Sequence, residues 1–183
     1  MNRTPKIVFF SVFLIVFVFG TALSETIEQI NQESIAKAQA TANDKVTPQM
    51  IVDKVNQAAK LLENECTGAF PKFQGKDTDF IFAGTYIWVH DLEGVMRMHP
   101  IKYKMNDKRY IDLKDSNGKR IFVDMNMLAE KQGAGWYEYS WPKPGEKAPS
   151  PKVSYIKLVE CGNGEKLVVG CGVYDMKIDQ IQK

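Results

Sequence analysis

Gly133 to Tyr155 reads GAGWYEYSWPKPGEKAPSPKVSY, and its alternation decides how the chain is built. Successive side chains of an extended segment point to opposite faces, so Tyr137, Tyr139 and Trp141 share one face while Trp136, Glu138 and Ser140 share the other. Pro142, Pro144 and Gly145 stop this strand and turn it; Pro149 and Pro151 keep the return extended until Lys152 to Val159 forms a second strand. The product is a hairpin with a long, stiff loop. Large aromatic faces and the cations Lys143, Lys147 and Lys152 fall within a small area, which is the chemistry of a pocket for a small anion.

The flanking sequence supplies the rest of the fold. Upstream, Thr47-Pro48 reads as a helix cap and first helical residue, and Ile51, Val55, Ala58 and Leu62 recur at helical spacing through Glu65. Tyr86-Ile87-Trp88-Val89-His90 is β-branched and aromatic, and Asp91 to Gly94 turns it into a second strand, Val95 to His99. Ile101 to Ile111 is basic and irregular. Asp115-Ser116-Asn117-Gly118 is a tight turn that lacks the spacing of a calcium loop. Ile121, Met125 and Leu128 predict a short helix ending at Gly133, and Lys166 to Tyr174 a last strand. This order predicts an α+β fold: one antiparallel sheet of about five strands, the long helix from Thr47 on one face, and the short helix and loops over the other.

Before this domain the chain changes character. Arg3 and Lys6 precede an apolar run from Ile7 to Phe19, and Ala22-Leu23-Ser24 offers small residues for cleavage before Glu25. Residues 1–24 therefore read as a secretory signal, with an uncleaved N-terminal membrane anchor as the competing reading. Either one puts the remaining chain outside the cytoplasm, in the periplasm or secreted. Residues 25–46 are polar, rich in Gln, Ala and Glu, and read as a helical or disordered leader; residues 47–183 form the domain. The formal charge of +2 includes Arg3 and Lys6, so the chain after residue 24 is about neutral, and with no basic run or glycine-rich phosphate loop the sequence implies no nucleic-acid partner. Of three cysteines, Cys161 and Cys171 lie on two arms of a hairpin around Gly162-Asn163-Gly164, in a register that puts Cys161 near Lys166 rather than near Cys171. Cys66 could pair with Cys161 or with Cys171.

Six blocks, in order, resemble a known family. Tyr86 to Asp91 with Gly94, Met98-His99-Pro100, Asp112 to Asp115 with Asn117-Gly118, Gly133 to Gly145 with its Trp-Pro-Lys-Pro-Gly, Lys152 to Tyr155, and Val169 to Tyr174 resemble the single Cache domain. That is the PAS-like extracytoplasmic sensor module of bacterial chemoreceptors and histidine kinases, and the resemblance runs from about Thr47 to Asp175. It implies a pocket for a short carboxylate, of the acetate, propionate, lactate or pyruvate class, on the sheet face away from the long helix. By the same resemblance His99, Trp141, Lys143, Lys152 and Tyr155 line this pocket, with Tyr139 and Trp88 as walls. A ligand of roughly four to six heavy atoms gains at most about 6 to 9 kcal/mol, so micromolar affinity is the best to expect. The family's receptors continue into a signalling domain, whereas this sequence stops at Lys183. A partner such as a membrane receptor or kinase is therefore expected to receive the signal, with a homodimer through the N-terminal helix as a further expectation.

Two other function classes compete. A hydrolase using His99 or Cys171 lacks a Gly-x-Ser-x-Gly elbow or a Cys-His context, and the sequence implies no enzyme, catalytic residue, cofactor or metal site. An adaptor that keeps the sheet fold with a closed pocket is the alternative to a ligand sensor.

Overall fold

The computed structural model describes residues 11–181, with side chains from Thr26 onward. The secretory signal or anchor expected over residues 1–24 lies outside the described side chains; among the described residues no helix is long and apolar enough to cross a membrane.

Helix α1 (Ser11–Ala40) carries the polar leader and packs on the domain. Ser34 and Ala38 are buried, the Asn31 amide donates to the Pro100 carbonyl at 2.8 Å, and Ser34 Oγ accepts from the Gly75 amide at 2.8 Å. Helix α2 (Pro48–Glu65) starts as its sequence predicts, with Thr47 Oγ1 accepting from the Met50 amide at 3.3 Å and Pro48 in the first turn. Its stripe of Ile51, Val55, Ala58, Ala59 and Leu62 is buried. A 3-10 turn, Cys66–Phe73, follows.

The main sheet holds six antiparallel strands in the order β5-β4-β3-β8-β7-β6. They are β3 (Trp88–Asp91), β4 (Val95–Met98), β5 (Lys108–Arg109), β6 (Ala134–Pro142), β7 (Pro149–Glu160) and β8 (Lys166–Tyr174). The sixth strand arises within the stretch read as irregular, where Lys108 and Arg109 pair with Met96 and Val95. The strand expected from Tyr86 to His90 is divided. Tyr86 belongs to a separate hairpin of β1 (Ile81–Phe82) and β2 (Thr85–Tyr86), whose turn residues Ala83 and Gly84 both have positive φ, and Trp88 begins β3. Pro149 and Pro151 lie inside β7, past the last β8 residue, where they pair only with β6 and no second neighbour needs their missing N–H.

The sheet separates two cores. Helix α2 covers the face bearing Val89, Met98, Val159, Leu167, Val169 and Cys171. Helix α3 (Ile121–Gln132), ended by Gly133 at φ 76°, covers part of the opposite face with Trp88, Met96, Tyr139, Ile156 and Val168. A disulfide joins Cys66 to Cys161, with Cα atoms 5.3 Å apart, and Cys171 is a free, buried thiol.

Candidate functional site

The site grows from the register of three adjacent strands. Tyr139 on β6 stands opposite Lys152 on β7, and Lys152 stands opposite Tyr174 on β8, so the three side chains form a row on the α3 face of the sheet. The neighbouring β8 positions on that face are Gly170 and Gly172, and their missing side chains make the room. A Cβ at Gly170 would stand 2.5 Å from the Trp88 ring, and one at Gly172 would stand 2.0 Å from Ser154 Oγ. Trp88 therefore lies across the sheet where a side chain from β8 would otherwise be.

Lys152 has no exposed surface. Its Nζ lies 4.3 Å from the ring centroid of Tyr86, 4.4 Å from that of Tyr174 and 5.0 Å from that of Trp88. It donates to the Tyr174 hydroxyl at 3.1 Å, and that hydroxyl donates to the Pro142 carbonyl at 3.0 Å. Among the described residues no carboxylate pairs with it. Burial pushes its pKa down to about 7, with the charge of Lys102 adding to the effect. An ammonium held among three rings and one hydroxyl is a buried cation whose counter-ion the protein does not supply.

A cavity opens beside this cation, lined by Tyr86, Trp88, His99, Phe122, Tyr139 and Trp141 among others. Lys152 is one layer behind its wall, against Tyr86 and Trp88. The space open to the centre of a water molecule is about 10 Å³, room for about one water. His99 presents a defined face to it. The backbone amides of Ile101 and Lys102 donate to Nδ1 at 3.2 and 3.0 Å, which fixes the ring proton on Nε2 as a donor without a partner among the described residues. Burial, then the charges of Lys152 and Lys102, hold the His99 pKa well below the ordinary range, so the ring is neutral. Burial likewise holds the Tyr86 and Tyr139 hydroxyls protonated. The site thus offers one cation, neutral donors and apolar ring faces, a set suited to a small carboxylate.

The model of the Cache domain matches residues 75–183 of this chain. The chain belongs to the Cache domain family. Its Cache domain is similar to part of the methyl-accepting chemotaxis protein McpP of Pseudomonas putida, at 38% identity over 97 residues, which is 53% of this chain and 17% of that protein. It is similar also to part of the sensor histidine kinase MctS of Rhizobium johnstonii, at 29% identity over 89 residues, 49% of this chain and 18% of that protein. The chain therefore spans less than a fifth of the length of these curated relatives. Among solved structures, the periplasmic sensor domain of a chemotaxis protein superposes with a TM-score of 0.50 at 25% identity, covering 91% of this chain and 99% of that one.

Within the Cache domain, five of the seven residues read from the sequence come together: Trp88, His99, Tyr139 and Trp141 line the cavity and Lys152 lies behind it. Tyr155 does not. Three residues from Lys152 on one strand, it points to the opposite face and packs edge-to-face on Trp136, with a 5.3 Å centroid separation, in the core under α2. Lys143 is also drawn away, pairing with Asp175 at 2.5 Å and lining an open groove beside the end of α1. Tyr86 and Tyr174 were missed as contacts of Lys152. Tyr86 arrives from the separate β1–β2 hairpin, and Tyr174 through cross-strand pairing that the Gly162 to Gly164 turn nearly fixes: Glu160 faces Lys166, one residue from the expected register.

Proposed function

We propose that this Cache domain is an extracytoplasmic sensor module that binds a short carboxylate and passes the ligand-dependent change to a partner protein, a membrane receptor or a kinase. One observation carries the reading: Lys152 is fully buried among aromatic rings with no carboxylate partner among the described residues. A buried charge left unpaired is costly, and a ligand carboxylate is the group that removes the cost. A short acid enters only if the ring walls move apart from the present room for about one water, and the His99 Nε2–H then adds a directional donor. The role is one of binding, without a bond-making step. The signal-like segment read from residues 1–24 and the sensory nature of the relatives support an extracytoplasmic location.

The adaptor reading is favoured by a different observation, the room for only about one water in the cavity as it stands. Thermal unfolding of the purified chain against short carboxylates, amino acids and amines separates the two. Binding to the native state at about 100 times Kd adds about 2.7 kcal/mol of stability. An upward shift in Tm with short acids that is absent in Lys152→Met supports the sensor; no shift with any acid, from a chain that unfolds cooperatively, leaves the adaptor.

A further inference from the structure

Both histidines of the chain are buried at this cavity, His99 in its wall and His90 behind Phe122, and neither has a place for a second proton. His90 stands on β3 two residues from Trp88 and packs edge-to-face on the Phe122 ring, with 5.0 Å between centroids. Its Nε2 lies 3.0 Å from Asn126 Oδ1, and the Asn126 side-chain nitrogen donates to the Leu92 carbonyl at 2.8 Å. That second bond fixes Oδ1 as the acceptor, so the ring proton is on Nε2, and Nδ1 is left bare, buried and without a partner among the described residues. His99 also carries its proton on Nε2, because its Nδ1 already accepts from the Ile101 and Lys102 amides. A proton on Nδ1 of His90 would meet an apolar wall, and one on Nδ1 of His99 would displace both amides.

The charged groups nearby do not relieve this. His90 is flanked by Met96 on β4 and Val168 on β8 and covered by Phe122 and Asn126 of α3; the carboxylate of Asp91, next to it on β3, is engaged with the Glu93 and Val95 amides and with Arg97. His99 meets the cations Lys152 from β7 and Lys102 from its own loop, and the rings of Tyr86 and Trp141, while Glu28 of α1 is held by Tyr103 and Gln32. Burial holds His90 down to about 4, and burial with the two lysines holds His99 well below the ordinary range. Helix α3 supplies Ile121, Phe122 and Met125 to the cavity wall, and it is tied to the sheet by Asn126 on His90 and by Asp124, which accepts from the Tyr137 hydroxyl at 2.7 Å. We propose that His90 and His99 form an acid-operated gate, in which proton uptake frees α3 from the sheet at Asn126 and opens the cavity, so that the domain responds to acidity in its own right. An open state with exposed rings takes up protons near 6.5 and the closed state only well below that, so the closed state loses ground as pH falls from about 6.5. The gate depends on no particular ligand.

Amide hydrogen exchange of the full chain at about pH 7.5 and about pH 5, corrected for the intrinsic effect of pH and with no ligand added, tests this. At the lower pH the α3 amides are expected to exchange faster than those of β7 and β8, with their opening equilibrium raised about 30-fold for each histidine that the open state exposes. His90→Gln keeps a donor at the Nε2 position and His99→Asn keeps an acceptor at the Nδ1 position, and each removes one such factor. Nitrogen-15 spectra of the wild-type rings, which need no variant to fold, are expected to show both as Nε2–H tautomers that persist below about pH 6. A ring that titrates near 6.5 while α3 stays protected overturns the gate. So does α3 exchange no faster than that of β7 and β8, or an acid-driven rise that is the same in the wild type and in both variants.

Discussion

Lys152 and Tyr174 face each other across β7 and β8, and the ammonium donates to the phenol at 3.1 Å while the phenol donates onward to the Pro142 carbonyl. The phenol is a neutral partner. It satisfies one of the three donors of the ammonium without cancelling its charge, so the pair is held together and still short of an anion. On the proposed reading, a ligand carboxylate that offsets the Lys152 charge would act on a bond between two strands, and through Pro142 on the start of the loop between β6 and β7.

The ligand-free protein gains stability as pH rises above neutrality. The folded state releases the Lys152 proton at about 7, while the unfolded chain holds it to about 10.5, so between these values the unfolded state binds more protons. Below pH 7 both states are protonated and the contribution is constant. From pH 7 to pH 8.5 the expected gain is about 2 kcal/mol, before the buried Cys171 thiol, pushed up to about 11, begins to act in the opposite direction. Urea unfolding across this range measures it, and Lys152→Met flattens the profile; a wild-type profile as flat as the variant's contradicts the assignment.

Gly170→Ala destabilises the domain by about 1–3 kcal/mol, the usual range for overpacking. Its Cβ would stand 2.5 Å from the Trp88 ring, which must turn into the cavity or push β3 away from β8. Denaturation gives the energy and tryptophan fluorescence reports the displaced ring. A substitution without cost would mean that Trp88 does not lie over Gly170.

The disulfide closes a separation of 95 residues between Cys66 and Cys161. Its reduction costs about 2–5 kcal/mol of stability. Without reductant, the native chain exposes no thiol to labelling and the unfolded chain exposes one, Cys171. Labelling of the native chain, or of three thiols in the unfolded chain without reductant, contradicts the pairing.

Much of this was legible in the sequence because it depends on local periodicity. The strand from Gly133 onward alternates as written, with Trp136 under α2 and Tyr137, Tyr139 and Trp141 on the α3 face. The same rule separates Lys152 from Tyr155, yet the shared Lys-Val-Ser-Tyr block had grouped them in one pocket. Lys143 is adjacent to the aromatic strand in sequence, but its position depends on Asp175 at the far end of β8. Tyr86 reaches Lys152 from another hairpin, a contact between residues 66 positions apart by number (152 − 86) that no local pattern encodes.

Tyr155→Phe and Lys143→Ala are therefore expected to leave carboxylate affinity within about twofold, since neither removes a contact of more than about 0.5 kcal/mol with the site. Tyr155 packs in the other core and Lys143 is engaged with Asp175. Titration of both variants with an acid that the wild type binds checks this, and a tenfold loss in either would return that residue to the pocket.

Proton uptake on binding tests whether a ligand carboxylate becomes the counter-ion of Lys152. At pH 8 the free Lys152 amine is mostly neutral, its pKa being about 7, whereas an adjacent carboxylate favours the ammonium. Calorimetric titration of the chain with a short acid in buffers of different ionisation enthalpy should give an uptake approaching one proton per ligand at pH 8, falling toward zero at pH 6 and absent in Lys152→Met. Binding with no proton uptake at pH 8, or with the same uptake in Lys152→Met, would contradict the account.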